Sequence, residues 1–175
     1  MRKAVNFIAF QAGWFACVLG AAHGQAAWGV AAALFIVAVH VATAARPSVE
    51  ARLAVIALGL GAVWEWVMLA LGVVDHGGGG EGVGLPPAWI VALWPLFATT
   101  LNASLAWLQG RWLVAALLGA VAGPAAYWAG ARLGALSFGD PLLFVAELAA
   151  GWAVLTPVLL AIAARLAGAS PEPRR

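Results

Sequence analysis

At 175 residues, 65% hydrophobic and 9% charged, with a mean hydropathy of +0.97, the chain is too apolar for a water-soluble domain; soluble proteins run about 45–50% apolar and about 25% charged. Six spans of about 20 residues consume roughly 120 positions, which leaves no room for a separate soluble catalytic domain. The formal charge of +2 comes from basic residues at the ends of apolar runs and not from a stripe, so nucleic acid is not an expected partner.

Arg2-Lys3 followed by an apolar run has the form of a signal peptide. Asn6 and Gln11 interrupt that run and no lipobox precedes Cys17, so it reads as a retained first transmembrane helix. Cys17 is the only cysteine, which rules out an internal disulfide or a cysteine metal cluster. Apolar runs between charged and Gly/Pro punctuation predict spans at about 4–22, 27–45, 52–74, 88–108, 113–131 and 142–165. The expectation is an all-α polytopic membrane helix bundle, one integral-membrane domain over 1–175.

Orientation follows from Lys and Arg. With the N-terminus inside, Arg2, Lys3, Arg46, Arg52, Arg111, Arg165, Arg174 and Arg175 fall on the cytoplasmic side and only Arg132 falls outside. Both termini are expected in the cytoplasm. The outer side collects His23, Asp75, His76, Glu81 and Asp140, whose spacing matches no metal-ligand pattern. Arg132 and Asp140 bracket the last outer loop, where they can pair. Gly77–Gly80 reads as a linker and not as a phosphate loop, because no Lys-Ser/Thr follows it. No cofactor is expected.

Of the ten tryptophans, Trp28, Trp89, Trp128, Trp107 and Trp112 fall near span ends, as interfacial belts require. Trp14, Trp64, Trp66, Trp94 and Trp152 lie deeper and are expected to fill the interior. The fifth span carries Gly119-Ala-Val-Ala-Gly123-Pro124, a small-xxx-small pattern that lets helices touch, and continues to Tyr127. A comparison of the first three spans with the last three shows no convincing repeat.

The fourth span is the one least suited to lipid. Within it Pro95, Thr99 and Asn102 fall on one helical face and Thr100, Ser104 and Trp107 on another, which implies protein neighbours on two sides. Glu65, between Trp64 and Trp66 and about 14 Å from the predicted outer end of its helix, is the sharpest functional candidate. It serves either a function or as a hydrogen-bonded tie to Asn102, Gln11 or a threonine. Glu147, about 9 Å into the last helix, is the second acid, either sharing a cavity with Glu65 or satisfying a different neighbour. Asn6, Gln11 and His40 are lesser candidates, and no catalytic triad, Walker loop or dinucleotide fingerprint is visible.

Three segments resemble an uncharacterised bacterial inner-membrane family, the domain-of-unknown-function family 2878. They are Asn6-Phe7-x-x-Phe10-Gln11-x-Gly13-Trp14-Phe15-x-Cys17-Val18; Pro87-x-Trp89 through Leu93-Trp94-x-x-Phe97-Ala-Thr99-Thr100-Leu-Asn102-x-Ser104-Leu-x-Trp107-Leu108; and Gly119-x-x-x-Gly123-Pro124-x-x-Tyr127-x-x-Gly130-x-Arg132-Leu-Gly134. The resemblance implies a compact multi-pass protein and, through a gene neighbourhood rich in lipid-modifying enzymes, a role in membrane lipids or envelope stress. It assigns no catalytic residue.

The expected function is an accessory protein of the bacterial inner membrane that binds a lipid, another amphiphile or a partner membrane protein, with a homo-oligomer as a further possible assembly. A small proton-coupled transporter using Glu65 and Glu147 is the alternative, and an intramembrane lipid-modifying enzyme the second. The polar-core and ligand candidates are Glu65, Glu147, Asn102, Thr99, Gln11, Asn6, Tyr127 and Trp94.

Overall fold

The computed structural model describes residues 2–76 and 84–168. Gly77–Gly80, Glu81, Arg174 and Arg175 lie outside the described residues. The described chain is all-α: α1 (Arg2–Ala22), α2 (Ala26–Thr43), α3 (Pro47–Ala70), α4 (Ala88–Leu101), a 3-10 turn at Ala106–Leu108, α5 (Trp112–Arg132) and α6 (Pro141–Gly168). Five of the six α-helices are long and apolar enough to cross a membrane.

The exception is α4. At 14 residues it is about 21 Å long, so the predicted continuous helix over 88–108 is corrected. Competing side-chain hydrogen bonds end it. The Thr99 and Thr100 hydroxyls donate back to the carbonyls of Leu96 (2.7 Å) and Phe97 (2.6 Å). The backbone then turns, with Ala103 and Leu105 both donating to the Thr100 carbonyl. Asn102, Ser104 and Trp107 therefore do not share helical faces with Pro95, Thr99 and Thr100.

Backbone that leaves a helix inside a bundle must find partners within protein, and here polar side chains supply them. Asn6 Nδ2 of α1 donates to the Thr99 carbonyl (3.0 Å), while its Oδ1 accepts from the Ser104 hydroxyl (2.7 Å). Gln109 Nε2 donates to the Leu101 carbonyl (3.0 Å) and to Asn102 Oδ1 (2.9 Å). Asn102 Nδ2 in turn donates to Glu50 Oε1 (3.0 Å), and Glu50 Oε2 lies 3.3 Å from His40 Nε2. Replacing Gln109 by Leu is expected to lower stability by about 1–3 kcal/mol by orphaning the Leu101 carbonyl, read as the thermal midpoint in mild detergent. An unchanged midpoint would show that the end of α4 is satisfied without it.

These contacts also fix the topology. The starts of α1 and α3 and the ends of α2 and α4 meet at one end of the bundle, and Arg46 Nη1 donates to the Ala167 carbonyl at the end of α6. The chain thus runs up and down throughout, and α1 begins at the same end at which α6 finishes. At the opposite end Asp75 and Ser137 form a two-way backbone bridge (2.8 and 2.7 Å) between the segments that leave α3 and α5.

The up-down order divides into three hairpins, α1–α2, α3–α4 and α5–α6, and their first helices repeat one another. Each ends on a glycine in the left-handed region: Gly24 (φ 70°), Gly72 (φ 68°) and Gly134 (φ 88°). The next residue donates to the carbonyl five positions back: Gln25 to Gly20, Val73 to Met68, Ala135 to Gly130. This is the Schellman ending, which needs a residue that tolerates positive φ. Eleven residues before each stands another glycine, Gly13, Gly61 or Gly123, against which a side chain of the same hairpin's second helix rests: Ile36, Trp94 or Trp152. Seven residues before each stand Cys17, Glu65 and Tyr127.

A repeat of two helices, not three, is why comparing the halves of the sequence found nothing. The spans of one half pair with the wrong members of the other.

Candidate functional site

Where the second and third hairpins face each other, equivalent positions meet. Glu65 of α3 and Tyr127 of α5 are hydrogen-bonded, with the phenol donating to Oε1. Trp94 of α4 and Trp152 of α6 stack nearly parallel, 5.0 Å between ring centroids and 18° between planes. Three tryptophans sit on glycines of neighbouring helices: Trp94 on Gly61, Trp152 on Gly123 and Trp64 on Gly151. A Cβ at Gly61 would stand 2.0 Å from the Trp94 ring and one at Gly151 1.8 Å from Trp64. The indoles occupy volume that any other residue would fill.

This packing brings two donors and an imidazole nitrogen to one carboxyl group. Glu65 is fully buried. Its Oε1 accepts from Trp94 Nε1 (3.0 Å) as well as from Tyr127, and its Oε2 lies 3.1 Å from His76 Nε2. A carboxylate removed from water is tolerable only when its lone pairs are satisfied, and here four elements converge to do it. The indole N–H groups of Trp64 and Trp152 are buried nearby without a hydrogen-bond partner among the described residues.

The partners differ from those expected. Asn102, Gln11 and the threonines do not reach Glu65; Trp94, Tyr127 and His76 do. The depth differs too. α3 ends at Ala70 and not near residue 74, so Glu65 lies about 8 Å from its helix end. Val73, Val74 and His76 fold back over it and are buried. His76 was placed on the outer surface by sequence; its side chain is instead 1% exposed and meets the Trp89 ring edge-on at 6.2 Å. Trp89 is accordingly interior and not interfacial, whereas Trp66 is half exposed on the outside of α3. The recurring Leu-Gly-x-x-x-x-Gly of Leu71–Gly77 and Leu133–Gly139 was the signal that both tails fold alike.

The other candidates divide between two places. Asn6, Thr99 and Asn102 belong to the polar lacing at the far end of α4. Glu147 is half-buried, with its Oε2 unpartnered among the described residues, and is not on the wall of the cavity described next. Asp140 caps α6, accepting from the backbone N–H groups of Leu142 (2.7 Å) and Leu143 (3.0 Å), and is not paired with Arg132. Among the described residues, no three His, Cys, Asp or Glu side chains come together as a metal site.

A cavity of about 620 Å³ opens beside the Glu65 cluster, between α1 and α5, with α4 as its back wall. It exists because α5 presents Gly119, Ala122, Gly123, Ala126 and Gly130 to it, a face with almost no side chains, and because α1 and α5 stand apart. Phe7, Phe15 and Leu118 line it and are also exposed on the outside of the bundle, so its mouth faces sideways, where a membrane would lie. Glu65, Trp94, Tyr127 and Gln11 are on its wall. Pockets of about 300–1,000 Å³, mainly apolar with a few polar groups, are of ligand-binding size.

An all-α bundle of apolar, membrane-length helices, enclosing a satisfied carboxylate next to a side-opening apolar cavity, defines a polytopic membrane protein with an internal site. More particularly, the chain belongs to the family described as "Protein of unknown function (DUF2878)", whose model matches residues 3–158. No curated protein and no solved structure matches it.

Proposed function

We propose that the protein is a membrane binding module that holds a lipid or other amphiphile in the cavity between α1 and α5. The observation that carries this reading is the cavity itself: ligand-sized, apolar, and with its mouth on the lipid-facing side. Seating in the bacterial inner membrane with both termini cytoplasmic is supported by the eight-to-one division of Lys and Arg and by α1 starting at the end where α6 finishes. The transporter reading has less support. Glu65 is enclosed by Trp94, Tyr127 and His76, and Glu147 stands off the cavity wall.

The test is native mass spectrometry of the protein purified in mild detergent. A co-purifying amphiphile is expected with the wild type, and its loss with Ala126→Phe, which places a ring in the cavity from the small face of α5. Wild-type protein that carries nothing and takes up none of a total lipid extract would overturn the reading.

A further inference from the structure

The cavity wall restricts what kind of amphiphile it accepts. It carries no Lys, Arg or His. Its one carboxyl group, that of Glu65, is fully buried, with both oxygens engaged by Trp94, Tyr127 and His76. A charged head of either sign would enter an apolar space with no accessible counter-charge, which is strongly disfavoured.

Two polar side chains on this wall stand idle. Phe7, Gln11, Phe15 and Val18 follow one another at helical spacing and form the stripe that α1 turns to the cavity. Gln11 thus has wall residues one turn to either side of it, and among the described residues its carboxamide has no hydrogen-bond partner. Thr156 of α6 lies on the wall against Gly119 of α5 and is only 5% exposed. Its hydroxyl likewise has no partner among the described residues. Since α1 and α5 begin at the same end of the bundle, the two groups share a depth. Gln11 stands about 14 Å along α1 and Gly119 about 10 Å along α5, well inside the roughly 30 Å of hydrocarbon.

Polar groups at that depth are costly unless something in the cavity answers them. A carboxamide and a hydroxyl each donate and accept. A carbonyl or ether head only accepts and leaves the Gln11 oxygen unmatched, whereas a hydroxyl matches both side chains. Resting on the amphiphile-binding reading above, we infer that the ligand is an uncharged lipid with a hydroxyl head, held at this depth by Gln11 and Thr156. The head donates to Gln11 Oε1 and accepts from the Thr156 hydroxyl, and the hydrocarbon tail lies along Ala126 and Gly130.

The experiment titrates detergent-solubilised protein, by native mass spectrometry, with five probes that share one tail: monooleoylglycerol, oleyl alcohol, oleyl phosphate, oleylamine and methyl oleate. A hydroxyl probe is expected to bind about tenfold or more tightly than the phosphate, the amine and the ester, and the tighter of the two hydroxyl probes tells a glycerol head from a simple alcohol. Gln11→Leu and Thr156→Val are each expected to weaken it about tenfold. The two variants lie on different helices, so one remains readable should the other fold poorly. Hydroxyl-probe affinity equal to wild type in both variants would overturn the assigned contacts. Tighter binding of the phosphate, the amine or the ester would overturn the hydroxyl head and leave the amphiphile reading standing. Binding of none of the probes would overturn both.

Discussion

Glu65→Leu is expected to destabilise the protein by about 3–5 kcal/mol, the largest effect of any single substitution at the site. Leucine removes the acceptor and leaves three buried polar groups behind it. Trp94 Nε1, the Tyr127 hydroxyl and His76 Nε2 all lose the oxygen they face. None has water to turn to, because Trp94, Tyr127 and His76 are 2%, 7% and 1% exposed. Glu65→Gln is expected to cost much less. Its carbonyl oxygen still accepts from Trp94 and Tyr127, and only the His76 contact has to rearrange, through the other imidazole tautomer. Chemical or thermal unfolding of the detergent-solubilised variants measures the difference. Equal stability of the leucine variant and the wild type would show that the carboxylate is not what holds α3, α4 and α5 together. Because the cluster forms one cavity wall, the leucine variant is also expected to lose any ligand that the glutamine variant retains.

The second large effect is predicted at the contact between α5 and α6. A Cβ at Gly119 would stand 2.2 Å from the Trp152 carbonyl oxygen, and one at Gly123 2.2 Å from the Trp152 ring. A backbone oxygen cannot swing aside as a side-chain tip does, so the helices must separate. Gly119→Ala is therefore expected to cost about 1–3 kcal/mol, and adding Gly123→Ala to displace Trp152 from its stack on Trp94. Loss of the exciton circular dichroism of the stacked Trp94–Trp152 pair reports that displacement. Gly59→Ala is the matched control. It changes the same residue type inside a helix, but no atom lies within 4 Å of the added methyl. There the entropic advantage of alanine is expected to leave stability equal or about 0.5–1 kcal/mol higher. If all three substitutions behaved alike, close packing would not be the reason for the glycines of α5.

The two predictions share a cause in the hairpin repeat. Glu65 and Tyr127 occupy the same place in successive hairpins, as do Gly61 and Gly123. The first hairpin carries Cys17 at the place of Glu65, and its thiol only reaches the Gly29 carbonyl at 3.3 Å. The buried carboxylate and its partners belong to the second and third hairpins, while the first contributes Asn6 and His40 to the polar contacts at the other end of the bundle. The seam between the first and third is where α1 and α5 stand apart, and that seam is the cavity.

Composition and spacing by themselves determined the class of object. A chain of this hydropathy must satisfy its backbone internally, and helices do so with local bonds, so apolar runs and their punctuation located six helices to within a few residues at most ends. Glu65 stood out for the same reason, since a lone acid amid apolar residues is costly wherever its helix is placed. The small-residue pattern at Gly119 and Gly123 was equally readable, because a helix face without side chains admits a close neighbour.

Tertiary structure decided the rest. The stop of α4 at Leu101 depends on Asn6, Glu50 and Gln109 arriving from elsewhere in the chain to take over helical hydrogen bonds. The burial of His76 and Trp89 depends on the Asp75–Ser137 bridge folding the tail of α3 inward. The partners of Glu65 lie 11, 29 and 62 residues away, on three different elements. Helical periodicity relates residues a few positions apart and fixes which face each occupies. It carries no information on which faces meet, and the site is made entirely of faces that meet.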